Sequence, residues 1–211
     1  MYAFDERFAF SRGVRGAYDV ETIRALVPGS ISVEKTDEID DRAGTDYVVR
    51  LRKGATLRVD AKARDRGASR YWRHGPEVAL ETWSVMPGGR YDTRPDKARA
   101  GWTLTEAKDV DLILFTFDPT DCDEVFMVGF PLLRLAFARF YRRWTNEFPP
   151  KEQDSGSWES QCVFVPIDRV FEAMTAVSRG KLVTSEQAPP RMSLVEKVRT
   201  PRLPFMHEGT A

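Results

Sequence analysis

Between Thr45 and Lys62 apolar and polar side chains alternate with few interruptions (TDYVVRLRKGATLRVDAK). Alternation of period two marks strands with one buried face. The pattern predicts two strands joined at Arg52-Lys53-Gly54, with Gly54 in the left-handed last position of a three-residue hairpin loop. In that register Tyr47, Val49, Leu51, Leu57, Val59 and Ala61 share one face, and Asp46, Arg50, Thr56, Arg58, Asp60 and Lys62 share the other, with Val48 its only apolar member. Asp46 is then expected opposite Asp60. A one-residue slip would separate them, and the clean sorting of the two faces favours the register chosen.

The same reading applied along the chain predicts further elements. An amphipathic helix is expected over 17–27, with Val20, Ile23, Leu26 and Val27 on one side and Pro28-Gly29 ending it. Ile31 and Val33 suggest a short strand. Residues 77–85 read as a strand, 86–101 as a loop, 110–117 (VDLILFTF) as a buried central strand and 124–130 as another strand. A largely buried helix follows over 131–148. Residues 149–161 read as a polar loop and 162–165 as a short strand. A last helix follows Pro166, with Asp168 as its expected cap. Residues 1–178 are expected to form a single domain. Residues 179–211, polar and dotted with proline, read as a tail.

Composition narrows the classes. The chain has 211 residues, with 32 basic and 32 acidic side chains, so any affinity for nucleic acid must come from a local patch. Two cysteines, Cys122 and Cys162, lack metal-ligand spacing and point to a reducing, cytoplasmic setting. The N-terminal segment breaks its apolar pattern with charges, so a secretory leader is not expected. No apolar run approaches the roughly eighteen residues that a membrane span needs.

Chemistry concentrates around the hairpin. Two opposed carboxylates repel unless a cation sits between them, and Mg²⁺ (or Mn²⁺) typically takes one or two carboxylates together with phosphate oxygens. Lys62 projects from the same face, where an ammonium group can orient water or stabilise charge on a phosphate. The plainer alternative is a solvated face whose acids pair with Arg50 and Arg58. The acidic run from Asp37 to Asp46 leads into this hairpin and can border a cation site or simply be solvated. After Lys62 the composition turns basic. Arg64, Arg66, Arg70 and Arg73 suit phosphates, and Trp72, with Tyr71 and His74, is interleaved for stacking. Glu21 on the first helix and Glu81 on the 77–85 strand are further acids that can approach the site. The aromatic segment 2–12 and the tail are candidate surfaces for a protein partner or a homodimer.

Asp46 followed by Asp60-Ala61-Lys62 on the next strand resembles the PD-(D/E)xK nuclease superfamily, most closely its small phage and bacterial members. The resemblance covers about Ala17 to Val177, with Thr45 in place of the proline that names the motif. It implies an α/β, restriction-endonuclease-like core of αβββαβ type, in which a mixed central sheet is flanked by helices. It further implies Mg²⁺ on Asp46, Asp60 and the Ala61 carbonyl, water positioning by Lys62, and accessory roles for Glu21 and Glu81. The implied activity is hydrolysis of phosphodiester bonds in DNA. The rival expectation is a nuclease-like fold that acts as an adaptor, such as a phage protein engaging a host factor.

Overall fold

A computed structural model describes residues 15–36, 44–64, 67–105, 108–118, 122 and 124–180. The aromatic segment 2–12, the acids from Asp37 to Asp41, Arg66 and the tail beyond Gly180 lie outside the described residues. The protein is a mixed α/β chain with two compact units, one drawn from Met1–Tyr71 and Ala107–Phe130, the other from Trp72–Glu106 and Pro131–Ala211. The single domain expected over 1–178 therefore comprises two such units.

The first unit holds α1 (Arg15–Leu26), β1 (Ser30–Lys35), β2 (Tyr47–Leu51), β3 (Thr56–Arg64), β6 (Leu112–Phe117) and β7 (Phe126–Gly129). These strands form one mixed sheet in the order β1-β2-β3-β6-β7. Neighbours are antiparallel except β3 and β6, which run parallel. The hairpin register is the one the alternation predicts: Tyr47 pairs with Val59, Val49 with Leu57, and Arg50 with Thr56. Its loop closes through Gly54 N–H to Leu51 O at 2.9 Å and Leu51 N–H to Ala55 O at 2.9 Å. Gly54 has φ +81°, a conformation that costs residues with a Cβ about 1–2 kcal/mol.

The apolar hairpin face becomes the core of this unit. Tyr47, Val49, Val59 and Ala61 pack with Ile23 of α1, Val27 just beyond its end, Val33 of β1 and Leu114 of β6, and Leu51 and Leu57 join at the margin. Full burial of each large aliphatic side chain contributes about 1.5–3 kcal/mol. β6 is buried on both faces from Ile113 to Phe117, as expected of a strand with a parallel neighbour.

The second unit contains β4 (Glu77–Val85), β5 (Arg99–Ala100), α2 (Phe130–Glu147, entered directly from β7), β8 (Lys151–Asp154), β9 (Glu159–Pro166) and α3 (Ile167–Ser178). Its strands form an antiparallel sheet in the order β5-β4-β9-β8. Several expectations are corrected here. Residues 99–100, expected in the 86–101 loop, pair as β5, and β9 begins at Glu159, inside the expected 149–161 loop. Residues 151–154 are not loop but an edge strand, KEQD, whose polar side chains suit a sheet margin. Pro166, rather than Asp168, is the N-cap of α3. Ile167, Val170, Ala173, Met174 and Val177 form the buried stripe of α3. No helix among the described residues is long and apolar enough to cross a membrane.

Candidate active site

Alternation along β3 places Asp60, Lys62 and Arg64 on the face opposite the α1-covered core. In the parallel neighbour the register partners are Ile113, Phe115 and Phe117, all buried. Asp60 thus lies beside apolar side chains and is only 1% exposed. A charge so placed needs partners. It has two: Lys62 Nζ is 2.8 Å from Oδ1, and Lys108 Nζ is 2.8 Å from Oδ2.

Asp46 enters from the start of β2. Its N–H donates to Val59 O at 2.9 Å, and its carbonyl accepts Thr36 N–H at 3.0 Å. Tyr47 also pairs with Val59, so two successive residues meet one residue of β3. Asp46 thus lies just before the first pair of the ladder and is not paired straight across from Asp60. The Asp46 side chain reaches β3, where Oδ2 accepts Ala61 N–H at 2.6 Å and the carboxyl group lies next to that of Asp60.

The electrostatics divide the two acids. Burial pushes the Asp46 carboxyl up to about 7, and the adjacent Asp60 charge and hydrogen bond push the same way. The Ala61 N–H and Lys62 oppose the rise. Burial would also raise Asp60, but Lys62 and Lys108 outweigh it and hold this carboxyl below the usual carboxylate range. Lys108 is drawn below the ordinary lysine range, first by burial and then by Lys62, against the pull of Asp60. Burial thus favours the protonated form of Asp46, while two ammonium groups favour the anion at Asp60.

No protein-family model matches this chain, and no curated protein or solved structure is significantly similar to it. Asp46, Asp60 and the Ala61 carbonyl make an all-oxygen donor set of the kind Mg²⁺ prefers. Among the described residues no group of three or more His, Cys, Asp or Glu is placed to hold a metal. Two carboxylates suffice for Mg²⁺ when it retains waters. The residues present fit such an ion, provided it shares Asp60 with the two lysines.

The alternative pairing of the acids with Arg50 and Arg58 does not occur. Arg50 pairs with Glu34 at 3.4 Å, and Arg58 pairs with Asp109. Glu21 is 73% exposed on α1 and bonded to Arg24 at 2.9 Å. Glu81 lies in the second unit, where its carboxylate accepts from Ser84 Oγ at 2.6 Å and Trp102 N–H at 3.1 Å. Of the basic segment, Arg64 is half-buried and Arg70 is exposed with its guanidinium 4.8 Å from the Tyr71 ring centroid. Trp72 is half-buried, Arg73 and His74 are exposed, and all three belong to the second unit.

Lys108 is the site residue that the pattern of the chain does not reveal. It precedes β6 in a segment with no periodicity, and only the parallel pairing of β3 with β6 brings it to Asp60. Its ammonium also donates to Gly44 O at 3.1 Å. Gly44 has φ +90°, and a Cβ there would run into Lys108 Nζ.

Proposed function

We propose that this chain is a metal-dependent nuclease that hydrolyses phosphodiester bonds in DNA through Asp46, Asp60 and Lys62. The observation that carries the reading is the meeting of two carboxyl groups and a lysine on adjacent strands, at the residues singled out by the Asp60-Ala61-Lys62 pattern. The order of α1, β1, β2 and β3, with β6 parallel to β3, is compatible with a restriction-endonuclease-like core. Asp46, Asp60 and the Ala61 carbonyl would hold Mg²⁺ or Mn²⁺. When bound, such an ion supplies Lewis-acid stabilisation at the scissile phosphate and a more acidic water.

The chain's own residues divide the remaining work. Lys62 is 35% exposed against 5% for Lys108, so it is the lysine able to meet substrate. Its Nζ orients the attacking water and faces the charge that develops on phosphate oxygens. Arg64, two residues further along the same face, and Arg66 and Arg70 beyond it, grip the DNA backbone as positive charges. The experiment is cleavage of linear, nicked, branched and single-stranded DNA with Mg²⁺, with Mn²⁺ and with EDTA. Lys62→Ala and Asp60→Asn, checked for folding by circular dichroism, are expected to abolish a cation-dependent cleavage shown by the parent. Undiminished cleavage in folded Lys62→Ala rules the assignment out.

One observation favours a second reading, a nuclease-like fold retained as an adaptor. Lys62 and Lys108 already supply two positive charges to Asp60, so the site is neutralised without a further cation. An adaptor of this kind cleaves no substrate and needs no divalent ion.

A further inference from the structure

Lys108 is held more firmly than a surface lysine would be. The segment around it is tied to the hairpin at three points. Thr45 Oγ1 donates to Asp109 O at 3.2 Å, Arg58 N–H donates to Asp111 Oδ2 at 2.7 Å, and Asp111 N–H donates to Arg58 O at 2.9 Å. Gly44, bare of a Cβ, leaves room for the ammonium and offers its carbonyl. With a side chain only 5% exposed, Lys108 has little freedom to leave, whereas the Lys62 side chain is 35% exposed.

Both oxygens of Asp60 are engaged, one by each lysine. A divalent ion on Asp60 must therefore enter against a charge that is fixed in place. We propose that Lys108 is a built-in counter-cation: it holds the Asp60 carboxylate in place and sets how weakly a divalent ion binds there. It is a positioning residue that acts through Asp60. This inference rests on the metal-dependent reading of the site.

The test is calorimetric titration of the apo protein with Mn²⁺ at pH 7.5, in the parent, Lys108→Met, Lys108→Gln and Lys108→Arg. Removal of a unit charge a few ångströms from the ion is expected to tighten Mn²⁺ binding at least about tenfold in the Met and Gln variants. Arg, which keeps the charge, is expected to restore the parent affinity. The neutral variants should melt at lower temperature than the parent in EDTA and regain stability with Mn²⁺. Lys108→Gln retains a donor for Gly44 O and provides a folded comparison if Lys108→Met does not fold. Unchanged or weaker binding in a folded neutral variant overturns the proposal. If the parent binds Mn²⁺ and cleaves DNA while the neutral variants bind no more tightly, this inference alone falls. If the parent neither binds nor cleaves but a neutral variant gains Mn²⁺ binding, the inference stands and the nuclease reading falls. If no form binds Mn²⁺, both fall.

Discussion

Asp46→Asn is expected to stabilise the apo protein near pH 8 and to leave it almost unchanged near pH 4. In the folded chain burial and the neighbouring Asp60 push the Asp46 carboxyl up to about 7, from an ordinary 3.8. Between those values the unfolded chain gives up its proton while the folded chain retains it. Unfolding then releases a proton, so stability falls as pH rises, by up to about 1.36 kcal/mol per pH unit from this group. The contribution is fully present below about pH 4, is lost as pH climbs through 7, and is constant above that. The whole interval corresponds to about 4 kcal/mol. Asp46 is only partly buried, so a realistic figure after solvent screening is about 2 kcal/mol. Asparagine cannot ionise, yet its oxygen can accept from Ala61 N–H as the acid does, and its amide can donate toward the neighbouring Asp60 carboxylate. Asp60 has the opposite shift, and its stabilisation is lost only as pH falls below the ordinary carboxylate range, outside the measured window. The assay is urea denaturation in EDTA at half-unit steps from pH 4.5 to 8.5, followed by tryptophan fluorescence. The parent-minus-variant difference should widen steadily to about pH 7 and then level off. A difference independent of pH, or a variant less stable than the parent at pH 8, would refute the reasoning.

Other outcomes follow from single contacts. Asp60→Asn leaves the buried Lys108 ammonium without its anion, and should cost about 3–5 kcal/mol in a denaturant titration. Leu114→Ala removes a fully buried side chain from the core under α1, and should cost about 2–5 kcal/mol, read from the urea midpoint. Gly54→Ala meets no atom within 4 Å but must adopt φ +81°, so a loss of about 1–2 kcal/mol in thermal melts would report backbone strain alone.

Much of the first unit was legible in the chain because its determinants are local. Period-two alternation and one glycine at the tip were enough for the hairpin register, and the register alone brings Asp60, Lys62 and Arg64 to one face. The helix at 131–148 and the last helix are likewise found within a residue or so of their expected bounds, since the apolar spacing of a helix is written in its own sequence. What stayed hidden depends on pairing between distant segments. The apolar character of residues 77–85 says strand but cannot say which sheet, and pairing with β9 places it in the second one, taking Glu81 with it. β8 carries no alternation at all and is a strand only because β9 supplies a ladder. Lys108 joins the site through the parallel pairing of β3 with β6, a contact no local pattern encodes. The chain thus determined which side chains share a face. The tertiary structure decided how deeply Asp60 is buried and which cations reach it, because desolvation and charge pairing are set by neighbours remote in sequence.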